Sequence, residues 1–158
     1  MEAKKKVKDL IIPLIEYPHM PYWGTLREAI VQLNVAYESN HHAVLVFDEA
    51  YKLVGMLFQK DILKGLEPKF AQHYEDGVPI FWDSLLKTGS EKRLEGQVKE
   101  FMSKAKFTIG VDDSILKASH IMLREETHLL PVMEGDKLMG VLRMSDLFHE
   151  ITKVVLDM

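Results

Sequence analysis

The 158-residue sequence predicts a mixed α/β protein of the α+β type, built from two β-α-β-β-α repeats that pack as an intramolecular pair with pseudo-two-fold symmetry. The chain repeats itself in order, and each copy shows the same succession of strand-like and helix-like apolar patterns. One copy of about 60 residues would bury only about 60% of its chain surface, so two copies sharing a core are more stable. The division is 1–65 for the first repeat with an N-terminal segment, 66–97 for a helical connector and 98–158 for the second repeat.

The internal repeat consists of four segments that recur in the same order, with an offset that shrinks gradually through small deletions. Chance rarely produces an ordered set of this kind. The matching pairs are Val7–Leu10 with Val98–Phe101, Thr25–Ala29 with Ser114–Ala118, His42–Val46 with His128–Val132, and Lys52–Leu57 with Lys137–Leu142.

A short strand and then a helix begin each copy. The strands are expected around His19–Tyr22 and Phe107–Ile109. Thr25 and Ser114 stand where a helix N-cap belongs, because their side-chain oxygens can accept a backbone N–H of the first turn. Apolar residues then recur at helical spacing: Leu26, Ala29, Ile30 and Leu33 in the first copy, and Ile115, Ala118, Ile121 and Met122 in the second.

Two further strands and a second helix complete each copy. Gly135 supplies the positive φ that a tight hairpin needs, whereas the longer turn 48–51 can form without glycine. The second helix is expected to open at Asp61 and at Asp146. The strand runs are Ala43–Phe47 and Leu53–Phe58 in the first copy, and His128–Met133 and Leu138–Leu142 in the second.

The connector 66–97 is too long to be only a loop in a compact protein. Pro68 and Pro79 interrupt it, and Glu91–Phe101 is expected to form a helix that leads into the second copy. Its apolar residues have helical spacing, which favours packing over a ligand contact for the tryptophan among them. They are Phe81, Trp82, Leu85 and Leu86.

Composition excludes several classes of function. The chain has no cysteine, which excludes disulfides, cysteine nucleophiles and thiolate zinc sites. Its net charge of −4 disfavours a broad nucleic-acid surface, and the lysines at Lys4–Lys6 are interpreted as a solvated tail. The longest early apolar stretch, Leu10–Ile15, is too short to span a membrane and contains Pro13. We therefore expect a cytoplasmic protein.

No pattern of an enzyme or a metal site is present. The sequence has no G-x-S-x-G, Walker A, H-E-x-x-H or Rossmann fingerprint. His41 and His42 are adjacent, so on a strand they would point to opposite faces and would not easily share one metal. We expect no catalytic activity, no metal and no required cofactor.

Two segments carry a family resemblance. Gly55–Leu63 and Gly140–Phe148 resemble the strand-to-helix signature of the CBS domain, which is Gly, two apolar residues, Ser or Thr, two variable residues, Asp and an apolar residue. His128–Val132 is similar to the usual second strand of that family. The resemblance implies tandem CBS domains, known as a Bateman module. Such modules commonly bind adenosyl ligands (AMP, ADP, ATP or S-adenosylmethionine) in two clefts between the repeats, pair into disc-shaped dimers and regulate enzymes or transporters without catalysing reactions.

The resemblance also implies site residues. Asp61 and Asp146 would accept hydrogen bonds from the ribose hydroxyls, and each adjoining helix N-terminus would attract phosphate. Both aspartates are also good helix caps without any ligand. The remaining candidates are Ile109, Leu130 and Pro131, which would sandwich the adenine, and Thr25 and Ser114, which are caps first and ribose contacts second.

The chain departs from the family at the Ser or Thr position, which is Phe58 in the first copy and Arg143 in the second. Arg143 would offer phosphate a forked pair of donors, or would point to solvent or pair with a carboxylate such as Glu150. Phe58 would stack on a base or plug the first cleft. Because Ser145 stands beside Asp146, whereas a lysine takes the matching place in the first copy, the second cleft is predicted to be the better nucleotide site.

These features predict a stand-alone regulatory module that binds an adenosyl ligand and signals to an unidentified enzyme or transporter. A ligand-free module for assembly is the main alternative, and nucleic-acid binding through the basic N-terminus is a weaker one. We also expect a homodimer formed through apolar helix faces. The candidate residues are Ile30, Leu33, Ile121 and Met122.

Overall fold

The computed structural model describes residues 5–67 and 91–157. They include eight strands and four α-helices that lie wholly within these ranges. The strands are β1 (Ile12–Pro13), β2 (His19–Pro21), β3 (Ala43–Phe47), β4 (Leu53–Phe58), β5 (Ser103–Lys104), β6 (Ile109–Gly110), β7 (Leu129–Glu134) and β8 (Lys137–Arg143), and the helices are α1 (Leu26–Val35), α2 (Gln59–Leu66), α3 (Ile115–Glu125) and α4 (Met144–Leu156). The expected apolar stripe of the connector, Phe81, Trp82, Leu85 and Leu86, lies outside the described residues, as do Pro68, Pro79 and Lys4.

The chain divides into two compact units, each with one four-stranded sheet. The unit Pro18–Lys104 has the strand order β2-β3-β4-β5, with β2 parallel to β3. The other unit joins Met1–Tyr17 to Ala105–Met158 and has the order β1-β8-β7-β6, with β6 parallel to β7. The successions β2-α1-β3-β4-α2 and β6-α3-β7-β8-α4 confirm the two predicted β-α-β-β-α repeats.

The first helix of each repeat begins at the predicted cap. Thr25 Oγ1 accepts the Glu28 N–H at 3.2 Å, and Glu28 Oε1 accepts the Thr25 N–H at 3.0 Å, which forms a capping box. Ser114 Oγ accepts the Lys117 N–H at 3.1 Å. The inward faces of the two helices follow the predicted spacing and pack on the sheets through Leu26, Ala29 and Leu33 and through Ala118 and Met122.

The two hairpin turns each contain a residue with positive φ, but the residue type differs. Gly135 has the predicted positive φ, at 62°. The hairpin of the first repeat contains no glycine, but Tyr51 takes a positive φ of 63°. Asp48 Oδ1 stabilises this turn by accepting the N–H groups of Ala50 and Lys52, both at 2.9 Å.

The segment ahead of each repeat packs with the other repeat. The matching turns Val7–Asp9 and Val98–Glu100 each begin with a fully buried valine. Val7 belongs to the core around β6–β8, and Val98 to the core around β2–β4. The sequence division had placed the N-terminal segment with the first repeat, whereas the compact units place residues up to Tyr17 with the second.

The helix expected over Glu91–Phe101 is not continuous. Residues 91–94 are helical, and only the short turn at Val98–Glu100 follows. The chain leaves the helix at Gly96, whose carbonyl accepts the Leu26 N–H at 2.9 Å, and the Val98 N–H is then donated to Gly24 at 2.8 Å. These bonds to the loop ahead of α1 hold the segment extended.

The residues expected to form exposed dimer faces are covered instead. Leu33 and Met122 are buried, while Ile30 and Ile121 are half-buried against the cores. Residues three or four apart share one helix face. Ile30 follows the buried Leu26 by four residues and Ile121 follows the buried Ala118 by three, so both turn towards the sheet as well. The exposed apolar side chains of these two helices are others, among them Val31, Val35, Leu116 and Leu123, and Phe148 is exposed on α4.

Candidate functional site

The candidate site lies where the last strand of each repeat turns into a helix. In both repeats the helix begins two residues earlier than predicted, at Gln59 and at Met144, so Asp61 and Asp146 are third residues rather than caps. Phe58 and Arg143 take the cap positions with extended backbone. A carboxylate at the third position can reach back to the cap, and it also lies near the positive end of the helix dipole.

The carboxylate of Asp61 is buried and hydrogen-bonded. Asp61 is only 8% exposed. Oδ2 accepts the Phe58 N–H at 2.9 Å, and both oxygens lie 3.2 Å from the donating hydroxyl of Ser103. Ser103 lies on β5, opposite Met56 of β4. Its hydrogen bond to Asp61 therefore links the start of α2 to the edge strand.

Ser103 was not singled out from the sequence. The internal repeat could have indicated where Ser103 lies, because Ser103 follows Val98 at the same distance as Ile12 follows Val7. The two residues occupy equivalent edge strands, with Ile12 opposite Val141 of β8. The equivalent strand therefore offers no hydroxyl to Asp146.

Asp146 pairs with Arg143 instead. The guanidinium donates from Nε to Oδ2 at 2.7 Å and from Nη2 to Oδ1 at 3.0 Å, which is a bidentate ion pair. The side chains remain partly accessible, 20% for Arg143 and 31% for Asp146. Pairing with a nearby carboxylate, one of the alternatives weighed from the sequence, is therefore observed, but the carboxylate is Asp146 and not Glu150. Glu150 is buried and accepts a hydrogen bond from Lys5 Nζ at 3.0 Å.

The structure brings Arg143, Ser145 and Asp146 together at one junction, where Ser145 is exposed. The other candidates lie elsewhere in the local structure. Ser114 and Thr25 cap α3 and α1, and Phe58 is half-buried at the start of α2. The expected adenine contacts are all buried: Ile109 is 3% and Leu130 is 0% exposed, both in the core of their unit, and Pro131 is buried as well.

A carboxylate that sequence reasoning missed orders the loop ahead of α3. Asp113 Oδ2 accepts the Gly110 N–H at 2.8 Å, and this hydrogen bond lowers the pKa of Asp113 below its usual value. Lys117, at 3.2 Å from Oδ1, lowers the pKa further. The first repeat has Gly24 at the matching place, directly before the cap Thr25, so this charge belongs to the second repeat only.

The histidines do not gather into a ligand set. His41 is buried, and His42 Nε2 lies 2.7 Å from Asn40 Oδ1. Among residues 5–67 and 91–157, no three His, Asp or Glu side chains lie close enough together to hold a metal ion. No helix in the same two ranges is long and apolar enough to cross a membrane.

The order of elements and the paired strand-to-helix junctions define a protein of two tandem α+β repeats. The CBS domain family model matches residues 98–153. This segment is similar to the CBS domain, and the chain as a whole shares its fold with CBS domain-containing proteins. The predicted resemblance is thus confirmed.

Several solved structures share this fold over nearly their whole length. A CBS domain-containing protein of unknown function from Bacillus anthracis is 21% identical, with a TM-score of 0.69 over 95% of this chain and 94% of that one. The CBS domains of a transcriptional regulator from Streptococcus pneumoniae are 18% identical, with a TM-score of 0.65 over 92% and 98%. CBSX2, solved in complex with AMP, is 17% identical, with a TM-score of 0.66 over 94% and 97%. No curated protein sequence matches the chain.

Proposed function

We propose that this protein is a regulatory CBS-pair module that binds one adenosyl ligand with a phosphate, such as AMP, at the β8–α4 junction of its second repeat. The Arg143–Asp146 pair carries the proposal, because it places a carboxylate and a forked cation side by side at the start of a helix. Both side chains are partly accessible, so a ligand can reach them.

The ribose and the phosphate of the ligand each have a chemical counterpart at this junction. A carboxylate accepts hydrogen bonds from two vicinal ribose hydroxyls, and these charge-assisted bonds are stronger than neutral ones. A guanidinium offers phosphate two parallel N–H donors and a permanent charge. The exposed Ser145 adds a hydroxyl donor, and the positive end of the α4 helix dipole favours a phosphate at this place.

The first repeat is a poorer site for the same ligand. Asp61 is buried, whereas Asp146 is partly accessible, and the donors to Asp61, Phe58 N–H and Ser103 Oγ, are uncharged groups that would not attract a phosphate. Phe58 has no polar donor to replace the family hydroxyl. We therefore expect one nucleotide per chain rather than two. The AMP complex of CBSX2 supports the ligand class, since that protein shares the fold.

Calorimetric titration tests the proposal. AMP should bind the wild-type chain with a stoichiometry near one, and adenosine should bind more weakly. Lys137→Ala is a matched control, because Lys137 is an exposed cation at the opposite end of β8 from Arg143. Absence of binding by AMP, ADP, ATP and S-adenosylmethionine, or two equivalent AMP sites, would contradict the proposal.

An assembly module without ligand is the second candidate, and a groove between α3 and α4 favours it. This groove of about 190 Å³ is almost entirely apolar, and it is lined by Met122, Leu123, Leu147, Phe148 and Ile151 among others. Exposed apolar patches of this kind commonly mark interfaces. We propose a homodimer in either case, with Leu123→Glu and Phe148→Glu lowering the sedimenting mass to that of a monomer. A wild-type monomer at every micromolar concentration would exclude the dimer.

The basic N-terminus is a weak candidate for nucleic-acid binding because its described lysines have internal acidic partners. Lys5 bonds to Glu150, and Lys8 lies 3.2 Å from Asp112. We propose that the module acts in the cytoplasm by passing ligand occupancy to a partner enzyme or transporter. Salt-dependent binding to random RNA would instead favour the nucleic-acid function.

A further inference from the structure

The bidentate pair at the β8–α4 junction has a consequence for ligand choice. We propose that Arg143 is an internal competitor for Asp146, so that only a ligand with an anionic group opens the site efficiently. This inference rests on the proposed function, and it adds a mechanism of selection between phosphorylated and unphosphorylated adenosyl ligands.

The geometry sets up the competition. Arg143 uses Nε and Nη2 to bond both oxygens of Asp146, at 2.7 and 3.0 Å. A ribose diol would approach the same two oxygens with its two hydroxyls. The guanidinium fork and the diol therefore compete for one carboxylate edge, and the ribose gains its full hydrogen bonds only when Arg143 moves away.

The cost of moving Arg143 depends on the ligand. A phosphorylated ligand gives the guanidinium a new bidentate anionic partner, so the ion pair with Asp146 is exchanged for one with phosphate. Adenosine offers no such partner, and Arg143 would leave its carboxylate without compensation. Only the differential interaction of a ligand with the closed and open arrangements can shift that equilibrium.

The first repeat lacks this device. Phe58 stands in place of Arg143, and the donors to Asp61 are a backbone N–H and a hydroxyl from β5. Neither can be exchanged for phosphate, because one is fixed in the helix cap and the other belongs to an edge strand. Selection by partner exchange is therefore a property of the second repeat.

The test compares AMP and adenosine on Arg143→Ala, Arg143→Lys and the Lys137→Ala control by calorimetry, with thermal unfolding to verify that each variant is folded. In Arg143→Ala, adenosine affinity should rise about fivefold, which is the size expected for an ion pair of this exposure, while AMP affinity falls. Arg143→Lys keeps the charge but cannot form the fork, so adenosine affinity should rise less and AMP affinity should largely persist. Lys137→Ala should leave both affinities within twofold of the wild type.

The outcomes separate this inference from the proposed function. If AMP binds the wild type but adenosine affinity is unchanged or lower in Arg143→Ala, Arg143 is not a competitor, and the inference is overturned while the proposed function stands. If adenosine binds Arg143→Ala but not the wild type, the inference is supported in its strongest form. Failure of both ligands on every variant removes the proposed function and the inference with it.

Discussion

Asp61 and Asp146 occupy equivalent positions in the two repeats, yet their surroundings differ in kind. Asp61 is buried and holds a backbone N–H and the Ser103 hydroxyl, whereas Asp146 is partly accessible and holds the Arg143 guanidinium. The difference arises at two other positions, because Ser103 is replaced by Ile12 on the edge strand and Phe58 by Arg143 at the cap. The same strand-to-helix pattern thus supports a buried set of hydrogen bonds in the first repeat and a partly exposed ion pair in the second.

The largest expected effect is a loss of stability in Asp61→Ala. Removing the carboxylate leaves two half-buried donors unsatisfied, each at the lower end of the range of about 1–3 kcal/mol, so the free energy of unfolding should fall by about 2–4 kcal/mol. Asp146→Ala should cost less than about 1 kcal/mol, because its ion pair is partly exposed. Urea unfolding with unchanged m-values measures both. Equal losses in the two variants would show that the two aspartates are equally structural.

The next effect concerns affinity and should have the opposite order. Asp146→Ala should weaken adenosyl binding by about 1.5–3 kcal/mol, the range for hydrogen bonds to a charged group. Asp61→Asn keeps one acceptor oxygen and should leave the affinity nearly unchanged. Titration of AMP into both variants measures this. Identical binding curves for wild type and Asp146→Ala would assign Asp146 a purely structural role.

A smaller effect is expected at the edge strand. Ser103→Ala removes the hydroxyl that donates a hydrogen bond to Asp61. The free energy of unfolding should fall by about 1 kcal/mol, the net value of one hydrogen bond. A double-mutant cycle with Asp61→Ala isolates the pair, since Ser103→Ala should cost much less once the carboxylate is gone. Additive losses would show that the two side chains stabilise the unit independently.

The smallest effect is a titration that only the second repeat shows. The hydrogen bond from Gly110 and the charge of Lys117 lower the pKa of Asp113. A lowered folded pKa means that this carboxylate stabilises the fold above its ordinary pKa, near 3.9, and that the contribution is lost as the pH falls through the folded pKa. Carbon-13 NMR of the carboxyl group measures the titration. Lys117→Ala should raise the pKa slightly, and a pKa at or above the ordinary value in the wild type would contradict the assignment.

The repeats themselves were accessible from the sequence because local rules decide them. Ordered matches located the two copies, Thr25 and Ser114 marked two helix starts, and Gly135 marked a hairpin turn. The caps and the turn depend on residues within a few positions of one another, and the repeat follows from comparing segments of the sequence, so no knowledge of long-range packing was needed. The strand-to-helix segments also predicted the resemblance to the CBS domain, whose family model matches residues 98–153.

The sequence-based predictions were wrong where hydrogen bonds or packing with other residues decide the local structure. The helix expected over Glu91–Phe101 is interrupted because Gly96 and Val98 bond to the loop ahead of α1. The start of α2 and of α4 was misplaced by two residues, because the carboxylates reach back to a cap that carries no hydroxyl. Leu33 and Met122 were expected at an interface but are buried in their own units.

The sequence by itself determined the two repeats, their order of strands and helices, and the pair of aspartates at equivalent positions. Only the tertiary structure decided which side chain Asp61 bonds, whereas the partner of Asp146 is three residues away. Ser103 lies 42 residues from Asp61 along the chain and reaches it through the pairing of β5 with β4. Residues that are distant in sequence compete for the hydrogen bonds of a carboxylate, and folding alone determines which of them arrives.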